Sequence, residues 1–263
     1  MGFLKYFRAL LDFVQVLVTG SSAWKVRWAV CKALWQLKRV PNDASEADFY
    51  FLSHPFTVSD ASDSQFVLKE IWLEQPYRLL AGLSISSIAD VGANQGFSFH
   101  YFKTQFPNAA VHAFEPDARN SELLEKNTAA LRSEKDSINR AAVWFEDTTL
   151  FANNTAALPS NQSFVAMDAA SPGPGVQAID FAAWIRIHKP DLVKMDIEGA
   201  EAQVLPKLIA NGAAGFVPNW LVEFHPGTYG EQIEREISAG FEKLGFRVEQ
   251  RGIIRFYSKI IAA

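Results

Sequence analysis

One run of seven residues, Asp90-Val91-Gly92-Ala93-Asn94-Gln95-Gly96, constrains the fold of this 263-residue chain more than any other. The apolar stretch from Ile85 that leads into it reads as a short strand ending in an acid, and Phe97 to Gln105 behind it reads as a helix. Glycines at 92 and 96 let the chain turn sharply and let a ligand approach the main chain. A helix N-terminus beside the turn presents free N–H groups. Strand, tight turn and helix in this order open an α/β unit, and open α/β sheets take their ligands at the carboxyl ends of the strands.

The spacing is D-x-G-x-x-x-G. A dinucleotide turn uses G-x-G-x-x-G, whose middle glycine lets pyrophosphate lie on the backbone, and here Ala93 and Asn94 stand in that part of the turn. A carboxylate at Asp90 would repel a phosphate. It suits a cationic ligand of amino-acid type, as in S-adenosylmethionine (SAM), which carries an ammonium and a sulfonium and no phosphate. A second predicted strand, Ala110 to Phe114, ends at Glu115, where a carboxylate can accept from both hydroxyls of a ribose.

Three motifs in order, Asp90 to Gly96, Phe114-Glu115-Pro116, and Lys194-Met195-Asp196-Ile197-Glu198-Gly199-Ala200-Glu201, resemble those of the FkbM-type SAM-dependent methyltransferases. The resemblance runs from Ile85 to Phe224. It implies a Rossmann-like α/β fold with a mostly parallel seven-stranded sheet, closed by a C-terminal antiparallel hairpin and preceded here by a helical extension. It further implies that Gly92, Asn94 and Gly96 line the methionine end of the cofactor, that Asp90 belongs to the same site, and that Glu115 holds the ribose. Ala142, within Ala141-Ala142-Val143, would lie by the adenine, where ordinary strand packing is the competing reading. The methyl acceptor implied is a hydroxyl on a sugar, glycan or natural product.

Hydrophobic content of 49% and charged content of 21% are ordinary for a folded chain. The net charge of −4 is uneven: residues 1–40 hold seven Lys/Arg against Asp12, a balance of +6, which leaves −10 for the rest. That split speaks against a nucleic-acid-binding body. Cys31 is the only cysteine, so no intrachain disulfide forms. The sequons Asn153-Asn154-Thr155 and Asn161-Gln162-Ser163 read as chance matches in a polar loop, and the location expected is cytoplasmic.

The domain boundaries expected are a basic helical hairpin at 1–41, a linker and lid helix at 42–82, and the catalytic domain at 83–263. In the hairpin, residues 3–18 form one amphipathic helix and Ala23 to Lys38 a second, with Trp24, Trp28 and Trp35 among basic residues. Three uses stay open: packing on this domain or on a second copy of it, peripheral contact with a membrane, or a signal peptide. Residues 42–62 read as a connection and Ser64 to Leu80 as a helix kinked at Pro76. Strands alternate with helices from 85 to 143, and an antiparallel insertion follows to 178. Helices at 180–188, 200–210 and 230–244 flank strands at 191–196 and 220–224, before a hairpin about Gly252.

Asp90, Glu115, Asp196 and Glu223-Phe224-His225 all fall at the carboxyl ends of predicted strands, on one rim of the sheet. His225 can take a proton near neutral pH, and Asp196 can orient or deprotonate a hydroxyl. Glu198 is a further catalytic candidate, although Glu198 and Glu201 would also favour the first turn of a helix through its dipole. Asp196, Glu198 and Glu223 could offer oxygen ligands to a divalent ion, but no ligand spacing marks a metal site and none is expected. Two other function classes remain in view: an NAD-dependent oxidoreductase on a similar fold, and a non-catalytic module that binds membrane or partner through the hairpin.

Overall fold

The computed structural model describes residues 24–41, 44–79, 83–152, 164–165 and 175–259. The predicted helix at 3–18 and both sequons lie outside the described residues.

Among the described residues the first element is α1 (Trp24–Leu37), whose Val30, Ala33, Leu34 and Leu37 are buried. Residues 42–62, expected as a connection, hold a β-hairpin instead. In β1 (Ala47–Phe51) Ala47, Phe49 and Phe51 point inward while Asp48 and Tyr50 face solvent, and β2 (His54–Val58) pairs with it antiparallel. α2 (Ala61–Lys69) starts at Asp60, whose carboxylate accepts from the N–H groups of Ser62 and Asp63. It runs into a π-helical turn at Glu70–Glu74 that ends at Gln75 in the left-handed region, φ 53°, so the helix stops just before Pro76.

The central sheet begins with β3 (Ser87–Val91), α3 (Phe97–Gln105), β4 (Ala110–Phe114) and α4 (Ala118–Thr128), then β5 (Ser137–Asn139). Asp117 caps α4 by accepting from Asn120 N–H at 2.8 Å. The single strand expected at 138–143 divides: β6 (Ala142–Trp144) leaves the large sheet for a smaller one with β7 (Thr148–Ala152), β8 (Phe164–Val165) and β9 (Gly175–Asp180). Asp180 caps α5 (Phe181–His188). β10 (Leu192–Met195), α6 (Glu201–Ala210), β11 (Asn219–Glu223), the short α7 (Pro226–Tyr229), α8 (Glu231–Lys243), β12 (Phe246–Arg251) and β13 (Ile254–Lys259) complete the chain.

The seven-stranded sheet has the order β12-β13-β11-β10-β3-β4-β5. Pairing is parallel from β11 through β5, and only β13, between β11 and β12, runs antiparallel to its neighbours. This is the Rossmann-like sheet with a terminal hairpin that the three motifs imply. β3 has β4 on one side and β10 on the other, so the strand order reverses at β3, and a crevice opens there at the carboxyl ends. One apolar cluster covers one face of the sheet with α1, the β1–β2 hairpin, α2 and α3; a second covers the other with α5, α6 and α8.

The hairpin is fastened to the sheet domain by Asn127 of α4. Its buried amide accepts from Thr57 N–H and donates to the carbonyls of Thr57 and Gln95, each at 2.8 Å. Residues before the sheet thereby touch the glycine turn itself. Asn127→Ala leaves those backbone groups buried and unpaired, at about 1–3 kcal/mol per group. Urea unfolding is expected to show a loss of about 2–4 kcal/mol, with faster proteolysis in residues 47–58 than in the wild type.

Candidate functional site

The turn after β3 is set by backbone constraints. Gly92 (φ 74°), Asn94 (φ 47°) and Gly96 (φ 99°) all take positive φ, a region open to glycine and tolerated by asparagine. The N–H groups of Gly92 and Ala93 donate to Phe114 O at 3.0 and 3.1 Å, which holds the turn against the end of β4. On its other side the turn meets the chain leaving β10. A Cβ added to Gly92 would lie 1.7 Å from the carbonyl oxygen of Asp196. Only glycine permits that approach.

A cleft with about 670 Å³ of empty space lies on one side of this contact. It is lined by Gly92 and Asn94 of the turn, Glu115 and Asp117 after β4, Ala142 of β6, and Asp196 and Glu198 after β10. Four of the six predicted cofactor residues, Gly92, Asn94, Glu115 and Ala142, therefore face one cavity. The carboxylate of Glu115 accepts from Asn94 N–H and Asp117 N–H, both at 2.9 Å. Burial lifts its pKa to about 7, against those two hydrogen bonds, which favour the charged form.

Asp90 and Gly96 stand behind the wall instead. Gly96 caps α3 and lies close to α4: a Cβ there would meet Thr128 at 3.1 Å and Leu124 at 3.2 Å. Asp90 is fully buried. Its Oδ2 accepts from the Ser98 hydroxyl at 2.7 Å, and its Oδ1 has no hydrogen bond, with the ammonium of Lys194 3.8 Å away. Lys194, also buried, donates to Gly92 O at 2.7 Å and lies 3.4 Å from Asp196 Oδ2. Burial lowers its pKa, but the charges of Asp196, Asp90 and Glu223 prevail and hold it above the usual lysine value.

A second chamber, with about 780 Å³ of empty space, opens on the α2 side. Asp63, Phe66 and Glu70 from α2 and the π turn line it with Tyr77, Ser98 and Glu223. Gly92, Asn94, Asp196 and Glu198 belong to both cavities, so these four residues form the partition between them.

Beside the partition, His225 Nε2 lies 3.4 Å from Glu198 Oε2, 3.8 Å from Asp196 Oδ1 and 3.9 Å from Glu223 Oε1. Its Nδ1 is 2.7 Å from Oε1 of Glu201, a residue with no exposed surface. Glu201 Oε1 also faces Tyr229 OH and His225 N–H, and its Oε2 accepts from Gly199 N–H. Every contact of Glu201 is with a donor, so Nδ1 of His225 carries a proton, and Nε2 turns toward the three other carboxylates. Burial presses the imidazole pKa down, but the hydrogen bond and charge of Glu201, with Asp196 and Glu198, raise it to about 9. Burial and the Asp196 charge lift Glu198 to about 7; burial, Asp196 and Glu70 lift Glu223 to about 9.

The three predicted catalytic residues, Asp196, Glu198 and His225, are thus adjacent. They also offer ligand atoms within 4.8 Å of one another, a set that could take a divalent ion, with His225 in the place foreseen for Glu223. Sequence reasoning gave Glu201 only a helix-dipole role and did not single out Asp117, Asn120, Glu70 or Tyr77. The i+5 spacing of Glu201 from Asp196 carries no signal, because its partner His225 arrives from another strand.

A family model for the FkbM methyltransferase domain matches residues 90–248, which include the whole lining of the first cavity and the part of the second that lies outside α2, the π turn and Tyr77. The chain belongs to the FkbM methyltransferase family. That membership sets aside the NAD-dependent alternative. Among curated proteins, Methyltransferase 1 of Beauveria bassiana is 23% identical over 163 residues, covering 54% of this chain and 66% of that protein. Methyltransferase sdnD of Sordaria araneosa is 36% identical over 67 residues, 26% of each chain. The matches thus span less than two thirds of either relative. Among solved structures, M. jannaschii TYW2 in complex with AdoMet aligns over 84% of this chain and 90% of that chain, with 13% identity and a TM-score of 0.43.

The Gly92 contact yields a paired expectation. Gly92→Ala must push the Asp196 carbonyl aside and is expected to lower stability by more than about 3 kcal/mol or to prevent folding. Gly252→Ala, also at positive φ but with nothing within 4 Å of the added Cβ, is expected to cost about 1–2 kcal/mol. Thermal unfolding of the two variants compares them directly.

Proposed function

We propose that this chain transfers the methyl group of SAM to a hydroxyl of a sugar, glycan or other small polar molecule held in the α2-side chamber. The observation that carries the reading is the partition: one cavity suited to the cofactor and one suited to an acceptor share Gly92, Asn94, Asp196 and Glu198. The first cavity fits the cofactor's chemistry. Gly92 and Asn94 bring backbone to the wall, Glu115 offers carboxylate oxygens to ribose hydroxyls, and Ala142 leaves flat space for a purine. SAM, when bound, supplies a methyl carbon already activated by a positive sulfur. The protein's task is to align the acceptor oxygen, exclude water and receive a proton.

Glu198 is the group we assign to the proton. It borders both cavities, and its carboxyl is held near neutrality, where a general base works best. Asp196 Oδ1 and Oδ2 face His225 and Lys194, which leaves it to orient the acceptor hydroxyl. His225 lines neither cavity. It fixes Glu198 and Asp196 from behind, while Glu201 and Tyr229 fix His225. The acceptor chamber is rich in carboxylates, which accept hydrogen bonds from hydroxyls and repel phosphates; this supports a polyhydroxylated acceptor over a nucleic acid.

A second reading shares this geometry: a divalent ion held by Asp196, Glu198 and His225 could lower the acceptor hydroxyl's pKa. Turnover with a polyol acceptor panel separates the two. On the first reading exhaustive chelation leaves turnover unchanged, and Glu198→Gln lowers kcat by about 10²–10⁴ while the affinity for S-adenosylhomocysteine stays close to wild type. Loss on chelation that added Mg²⁺ restores would select the second. A wild-type protein that binds no S-adenosylhomocysteine in calorimetry overturns both.

Glu115 gives a pH test of the cofactor cavity. Ribose hydroxyls donate to the ionised carboxylate, and in the free protein that form becomes dominant only as pH rises through about 7. Affinity for S-adenosylhomocysteine is therefore expected to climb between pH 6 and 8 and then level, by roughly tenfold at most for one group shifted this way. Glu115→Gln is expected to bind more weakly and to lose this slope. An unchanged slope in the variant would assign the titration elsewhere.

A further inference from the structure

We propose that α1 seats this protein on an anionic lipid bilayer through a tryptophan stripe edged with basic side chains. At about 100° per residue, Trp24, Trp28 and Trp35 fall within roughly 40° of one another on the helix, and Lys32 and Lys25 follow along one edge. The three rings are 71%, 55% and 54% exposed. The opposite face, Val30, Ala33, Leu34 and Leu37, is buried against the β1–β2 hairpin and α2, so the helix is held in the fold with the tryptophans turned outward. Packing on this domain, one use left open by the sequence, thus accounts for the aliphatic face.

Elsewhere the chain treats tryptophan differently. Trp72, Trp144 and Trp220 are fully buried, and Trp184 stacks on Phe181 and His188. Exposure of this residue type belongs to α1. The indole ring, apolar in body and polar at its N–H, is favoured at the headgroup level of a bilayer. The guanidinium of Arg39 lies over the Trp35 ring at 3.4 Å, placing a cation at the stripe's end. Residues 24–40 carry five Lys/Arg and no acid.

That charge chooses the occupant. A second copy docked symmetrically through the same stripe would set like charges against each other. An anionic surface neutralises them. Because α1 also packs on α2, which walls the acceptor chamber, the seat lies one element away from the site of chemistry. The inference does not depend on which acceptor is methylated.

Co-sedimentation of the full chain with vesicles of phosphatidylcholine, with and without phosphatidylserine, tests it. Wild type is expected to pellet with the phosphatidylserine vesicles and to be released by high salt. Trp24→Ser with Trp35→Ser is expected to lower the partition coefficient about tenfold or more, and Lys25→Gln, Lys32→Gln and Arg39→Gln together to remove the preference for anionic lipid. Unchanged circular dichroism and S-adenosylhomocysteine binding show that the variants are folded. Wild type that stays in the supernatant overturns the proposal. So do variants that pellet like wild type, or a tryptophan variant whose only change is conversion of a dimer to a monomer in sedimentation velocity.

Discussion

The architecture of the site hangs on one backbone contact, the approach of Gly92 to the carbonyl of Asp196. Two parallel neighbours, β3 and β10, end side by side, and the chains leaving them must turn apart around a ligand. Because the turn after β3 crosses so near the exit of β10, the main chain itself becomes the partition between two cavities. Lys194 strengthens the contact from beneath. Its ammonium donates to Gly92 O and sits among Asp90, Asp196 and Glu223, so a buried cation binds the two strand ends through charge as well as van der Waals contact. A buried charge of this kind is tolerated only with partners of opposite sign on hand. That requirement explains why Asp90 is enclosed: it works as a counter-charge under the turn, and any influence it has on a cationic ligand must pass through Lys194 and the backbone.

Crowded acids at the partition follow the same logic. Asp196, Glu198 and Glu223 face two cations, Lys194 and His225, and burial first, with the negative charge of Asp196 second, is why Glu198 and Glu223 keep their protons to higher pH than isolated carboxyls. Glu201 lies on the far side of His225 with all of its contacts to donors. The imidazole is thereby held between a structural carboxylate and a functional set, an arrangement in which its ring cannot rotate without losing the 2.7 Å bond. Rigidity there is transmitted to Glu198, which stands at a positive φ of 54° and has little local backbone preference of its own to hold it.

Much of this was legible in the sequence because its signals are local. Strand, glycine turn and helix at 85–105, the helix from 180 to 188 and the hairpin about Gly252 each depend on residues within a few positions of one another. The β1–β2 hairpin escaped because the alternation of Ala47, Phe49 and Phe51 is short, Pro55 interrupts the second strand, and the turn uses Leu52 and Ser53 at positive φ in place of glycine. The division of β5 from β6 escaped because an apolar run says nothing of which sheet it joins. Asp90 misled for a related reason: position at a strand end places a carboxylate on the rim, but alternation decides whether it points to the crevice or beneath it. Glu201 could be found only by bringing α6 and the residues after β11 together.

On the proposed function, selectivity for an acceptor in the α2-side chamber has a physical basis that precedes any particular side-chain fit. The wall of the α2-side chamber carries Asp63, Glu70, Asp196, Glu198 and Glu223 against a single lysine, Lys194, which is already engaged by Gly92 O. An anionic acceptor entering that space would lose its hydration among acidic side chains and find no unengaged cation on the wall, a penalty that grows as water is expelled. A neutral acceptor with several hydroxyls meets the opposite condition, since each hydroxyl can replace a lost water as donor to a carboxylate. Part of that wall comes from α2 and the π turn, which lie outside the sheet and are fastened to it through the hairpin and Asn127. Changes in residues 61–74 can therefore retune which hydroxyl reaches the partition while the glycine turn, Lys194 and the carboxylate set stay as they are. The fold thus builds the partition on the ends of β3 and β10 and the rest of the chamber wall on elements laid over them.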